Sequence, residues 1–158
     1  MKKNVPMLAV GLTMTLIWLT LSAVPAFSHC EIPCGIYGDE MRFAMMKEDI
    51  ATIEKSMNQV VELSKQATPN YNQIVRWVQN KEHHADKIRD VAAQYFLAQR
   101  VTPVLSKGSA EYDAYVNKLK LLHEMIVTSM KCKQTTDLAN VEKLKQLLDA
   151  FSKAYLGN

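Results

Sequence analysis

The sequence predicts an all-α fold: an antiparallel up-and-down four-helix bundle with an irregular hook at its N-terminal end. Three observations predict it. Four stretches place apolar residues at alternating spacings of three and four, the pattern of a helix face packed on other helices. Short segments rich in Pro, Gly and Thr separate them. No stretch shows strand-like alternation, and 5 Gly and 5 Pro in 158 residues are few for a many-turned β-structure. Four amphipathic helices on short connections have one economical arrangement, the antiparallel bundle.

The first helix is expected from Asp39, as N-cap with Glu40 in the first turn, to about Gln66. Its stripe is Phe43, Met46, Ile50, Ile53, Met57 and Val60. Ala67-Thr68-Pro69 breaks the chain, and Asn70 with Gln73 forms a capping box opening the second helix. That helix carries Tyr71, Ile74, Val78, Ala85, Ile88, Ala92 and Tyr95 on one face, with Lys81 interrupting it. Val101 to Gly108 is the connection, and Ser109 caps a third helix with the stripe Tyr112, Tyr115, Leu119, Leu122, Ile126 and Met130. Thr135-Thr136-Asp137 starts the fourth, whose apolar face is Val141, Leu144, Leu148, Phe151 and Tyr155, and Gly157 stops it.

Ahead of the bundle, residues 1–28 read as a secretory signal. Lys2 and Lys3 form a basic start, Met7 to Leu21 is mostly apolar and uncharged, and Ala26 and Ser28 supply small residues before a cut. The run is short beside the roughly 20 apolar residues a membrane span needs. Val5 to Val24 just reaches that length, so an uncleaved membrane tether is the alternative to export into the periplasm or medium. The expected organisation is thus a cleaved leader over 1–28, a hook over 29–38 and the bundle over 39–158.

Composition excludes several classes. A hydrophobic content of 48% and a charged content of 22% are those of a globular chain. Two of the positive charges behind the net +3 lie in the leader, so the body is nearly neutral and has no electrostatic footprint for nucleic acid. Three cysteines are too few for a disulfide scaffold. The Glu-x-x-His pairs of di-iron bundles, the C-x-x-C-H of attached haem and the H-E-x-x-H of zinc proteases do not occur.

The chemistry concentrates in His29-Cys30-Glu31-Ile32-Pro33-Cys34. A cut between Ser28 and His29 makes His29 residue one. Its free amine, its imidazole, the Cys30 amide nitrogen and the Cys30 thiolate then lie within one dipeptide. Amine and amide close one five-membered chelate ring, amide and thiolate a second, and Cys34 returns a thiolate to the fourth planar position. Two nitrogens and two sulfurs in a plane suit Ni(II) or Cu(II) better than tetrahedral zinc. A plain Cys30–Cys34 disulfide, or two incidental thiols, is the competing reading of the spacing.

His29-Cys30-x-x-Pro33-Cys34-Gly35-x-Tyr37 resembles the N-terminal nickel hook of the nickel superoxide dismutases, with six identities in nine residues. The resemblance implies metal ligands His29, Cys30 and Cys34, one nickel ion per chain, and Tyr37 standing over the open face of the metal. It further implies superoxide disproportionation by a Ni(II)/Ni(III) couple and assembly into homohexamers. The family's first helix carries an acid that orients the imidazole. Arg42 to Met46 contains none here, which leaves Glu40, Glu48 or another chain to supply it. The resemblance also implies a basic residue near the site from a neighbouring subunit, with Lys81 the candidate. Many relatives lose a short leader in the cytoplasm, whereas this leader is secretory. An exported non-enzymatic copper- or nickel-binding or redox-sensing bundle is the runner-up function.

Other chemically capable side chains have plainer readings. His83 and His84 are expected on a solvated face, and His123 at the edge of the core. Met41, Met45, Met46 and Met57 are expected to pack in the core, and Cys132 to be a small buried residue. Trp77 is expected as ordinary core or interface material.

Overall fold

The structure, a computed structural model, describes residues 38–157. The expected leader, the hook and Tyr37 lie outside the described residues. Four helices follow in order: α1 (Asp39–Ser64), α2 (Tyr71–Asp90), α3 (Ala110–Gln134) and α4 (Leu138–Leu156). A π-helical segment, Val91–Arg100, extends α2. Each helix packs on the next in sequence and α4 closes on α1, an antiparallel bundle without a sheet among the described residues. No helix among the described residues is long and apolar enough to cross a membrane.

Three helix starts follow from their caps. Asn70 Oδ1 accepts the Gln73 amide at 3.2 Å, Ser109 Oγ the Tyr112 amide at 3.1 Å, and Asp137 Oδ1 the Ala139 amide at 2.9 Å. Each satisfies one backbone donor that the first turn leaves orphaned. Gly157 ends α4 in the left-handed conformation, its amide donating to Lys153 O at 3.1 Å. The fourth start differs from expectation. Gly38, at φ 77°, occupies the N-cap of α1, and Asp39 is the first helical residue with no capping bond. A positive φ costs any residue with a Cβ, so glycine suits this junction.

The π segment is the element that sequence periodicity missed. The Val101 amide donates to Phe96 O, five residues back, at 2.9 Å. This wider winding brings a residue five positions along back toward the same face, where an α-helix would carry it about 140° away. Tyr95 and Phe96 are consecutive yet both buried.

The core has an aliphatic and methionine body, including Met46, Ile53, Met57, Ile88, Leu122, Met125 and Leu144, each inaccessible to solvent. An aromatic cluster lies toward the end where α1 begins: Phe96 packs edge-on against Phe151 at 4.9 Å and Tyr155 at 5.3 Å between ring centroids, and Phe43 leans on both phenylalanines. Burying each such ring contributes on the order of 2–3 kcal/mol of transfer free energy.

Several stripe residues land outside the core. Tyr71 is 73% exposed, at a helix start that extends past its neighbours' packing. Met130 is exposed, and Met125 takes the interior position on α3. Met46 and Met57 are core residues, but Met41 and Met45 are exposed on the outer side of α1. His123 is exposed rather than at the core edge. Cys132 is buried, as its small apolar character predicts.

Candidate metal centre

His29, Cys30, Cys34 and Tyr37 fall outside the described residues, so the structure bears on the centre through the ground that supports it. The described chain starts where the hook joins α1, and a network of side chains converges there. The Asp39 carboxylate accepts three hydrogen bonds: from the Tyr95 hydroxyl at 2.5 Å, from Arg100 Nη2 at 2.8 Å and from the Tyr155 hydroxyl at 2.7 Å. The donors come from the π segment and from the last turn of α4. Arg42 lies over the Tyr95 ring at 4.7 Å from its centroid, and Arg100 at 5.9 Å.

The electrostatics of this cluster are consistent. Burial works to raise the Asp39 pKa, but the hydrogen bonds from Arg100, Tyr95 and Tyr155 outweigh it and hold the carboxyl below its usual range. Burial and the adjoining carboxylate push the Tyr95 and Tyr155 hydroxyls up, so both stay protonated donors. The bond to Asp39 raises Arg100 further still. The cluster is therefore one carboxylate with one cationic and two neutral donors at neutral pH.

Two other polar clusters lie farther along the bundle. His84 Nδ1 lies 2.6 Å from the Asp49 carboxylate of α1, within hydrogen-bonding distance. His84 is thus a helix-to-helix tie rather than a solvated side chain; His83 is the exposed one. Lys81 is 3% exposed and donates to the carbonyls of Cys132, Lys133 and Thr135 at 2.8, 2.5 and 3.1 Å. It closes the C-terminus of α3, where helix geometry leaves carbonyls unpaired and the dipole favours a cation. A side chain buried and spent in this way is not available to reach a neighbouring chain, which removes Lys81 as the candidate basic residue.

Among the described residues no group of three or more His, Cys, Asp or Glu side chains is arranged to hold a metal ion. Cys132 has its pKa pushed up to about 11 by burial, against the pull of Lys81, and stays a thiol. Glu40 and Glu48 are both exposed, and the acids of α1 tied across the bundle include Asp39, Asp49 and Glu54.

A model of the nickel-containing superoxide dismutase family matches residues 23–158, which takes in the hook motif and all four helices. The chain belongs to this family. Searches of curated proteins and of solved structures returned no match. As a nickel superoxide dismutase, the protein uses nickel to disproportionate superoxide into dioxygen and hydrogen peroxide. The bundle that the sequence predicts is the body of this enzyme.

Proposed function

We propose that the nickel of this enzyme is held at the mature N-terminus, one ion per chain, by the His29 amine and imidazole, the Cys30 amide and thiolate, and the Cys34 thiolate. The observation that carries this is the six-identity hook lying inside the span matched by the family. Its donor set fits the metal. Thiolates and a deprotonated amide are anionic and electron-rich, and they stabilise the higher oxidation state that hydrated Ni(II) reaches only with difficulty. When bound, nickel supplies a one-electron couple that one superoxide reduces and the next oxidises.

The chain's own residues do the rest. Cys30 and Cys34 must lose their protons to bind, so loading falls as pH drops. The Tyr37 phenol would offer a hydrogen bond to the small anion at the hook. Each pair of superoxide ions takes up two protons in forming peroxide, and these come from water or an acid near the hook.

Residues 1–28 are removed between Ser28 and His29 on export, which creates the amine ligand, and the mature chains assemble as hexamers. Mass spectrometry of the mature N-terminus tests the reading, joined to a superoxide decay assay with and without nickel. A chain beginning at His29, active only when loaded with nickel, is expected; a chain beginning elsewhere that is fully active overturns it.

A further inference from the structure

We propose that Asp39 is a positioning residue for the metal centre: clamped by Tyr95, Arg100 and Tyr155, it latches the base of the hook to the bundle. The proposal rests on the hook reading above. Its warrant is the contrast with the other three helix starts. Asn70, Ser109 and Asp137 use their side chains locally, each on an amide of its own helix. Among the described residues, the side chain that opens α1 makes no local cap and accepts its three bonds from residues 56, 61 and 116 positions away.

A carboxylate in a first turn is already favoured by the helix dipole without any partner. Drawing in two phenols and a guanidinium adds little to helix formation. It does fix the position of one backbone residue, the one at which the chain leaves the bundle for Gly38 and Tyr37.

The clamp is built for rigidity. Charge-assisted bonds to a carboxylate are roughly twice as strong as neutral ones. Tyr155 is seated among Phe43, Phe96 and Phe151, so its hydroxyl is aimed by packing. Tyr95 and Arg100 reach the same carboxylate because the π segment returns a residue five positions along toward one face. A metal ligand set carried on a short segment ahead of a helix keeps its geometry only if that segment has a fixed root, which is the role outer partners serve at metal sites.

The test uses full-length chain processed to its mature N-terminus and loaded with nickel. Nickel loss to excess EDTA is followed for wild type, Asp39→Asn, Tyr155→Phe and a far-end control, Asp86→Asn. The control breaks the Lys133 and Arg89 pairs of Asp86. Helicity and Tm are recorded for each protein. The expected result is nickel loss about tenfold faster in Asp39→Asn and Tyr155→Phe with helicity unchanged, while Asp86→Asn lowers Tm without altering nickel loss. Unchanged nickel loss in the folded Tyr155→Phe protein overturns the latch and leaves the hook reading standing. Nickel loss that follows Tm equally in all three variants also overturns it, because the network is then merely structural. A wild-type mature chain that retains no nickel removes both.

Discussion

The two ends of the bundle spend their polar groups differently. At the far end, Lys81 is buried to satisfy three backbone carbonyls where α3 ends, those of Cys132, Lys133 and Thr135, and Asp86 joins Lys133 and Arg89 beside it. The Lys81 bonds complete a helix terminus that would otherwise be left with unpaired acceptors. At the hook end the bonds come from the π segment and α4 and meet at one carboxylate, Asp39, whose helix would form without them. One end closes the fold, and the other fixes the residue that opens the first helix. In the latch proposed above, the bundle supports the hook by fixing its point of attachment, while stability is secured elsewhere.

The sharpest break of this comparison is at the hook itself. Cys30→Ser or Cys34→Ser is expected to abolish dismutase activity in a superoxide decay assay while circular dichroism shows the helices intact. Activity retained in either variant would mean that the chemistry is not confined to the hook. Next in size, Lys81→Ala is expected to destabilise the protein by about 1–3 kcal/mol, because carbonyls at the end of α3 lose their buried donor. Urea unfolding checks this, and the nickel content of the folded fraction should be unchanged. A loss of nickel without a loss of stability would reverse the roles of the two ends.

The pH dependence sharpens the same point. The folded Asp39 carboxyl titrates below its ordinary value of 3.8. Its stabilising contribution is therefore fully present above that value and is lost as pH falls through the lower folded pKa. Thermal unfolding across acid pH should show this loss in wild type and a flatter profile in Asp39→Asn. The smallest effect is expected at Gly38→Ala. The positive φ there costs a Cβ on the order of 1 kcal/mol, and among the described residues no atom lies close enough to clash. A small drop in Tm, read by calorimetry, is the predicted outcome.

Much of the fold was legible because its determinants are local. The caps at Asn70, Ser109 and Asp137 and the stop at Gly157 act within one turn of their own helices, so the sequence states them directly. The stripes likewise name the inward faces, but not where a neighbouring helix stops covering them. That is why the stripe residues Tyr71 and Met130 are exposed, while Met41 and Met45 lie off the α1 stripe and face outward. The π winding over Val91–Arg100 left no mark, since nothing in Val-Ala-Ala-Gln-Tyr-Phe-Leu-Ala-Gln-Arg favours a five-residue bond over a four-residue one.

The hook motif was readable because chelation by His29 and Cys30 is chemistry within a dipeptide. Its support was not. Asp39 read as an N-cap because that is what an aspartate before a helical stripe usually does. Only the folded chain brings it to Tyr95 and Tyr155. His84 was hidden in the same way, since its partner Asp49 lies 35 residues away on another helix.

The central claim, that nickel sits in the His29-Cys30-Cys34 hook, is met most directly by X-ray absorption at the nickel edge of the mature enzyme. The account predicts two sulfur neighbours in the nickel shell, reduced to one in Cys34→Ser wherever nickel is retained. A shell of nitrogen and oxygen alone in the active wild-type enzyme would contradict it.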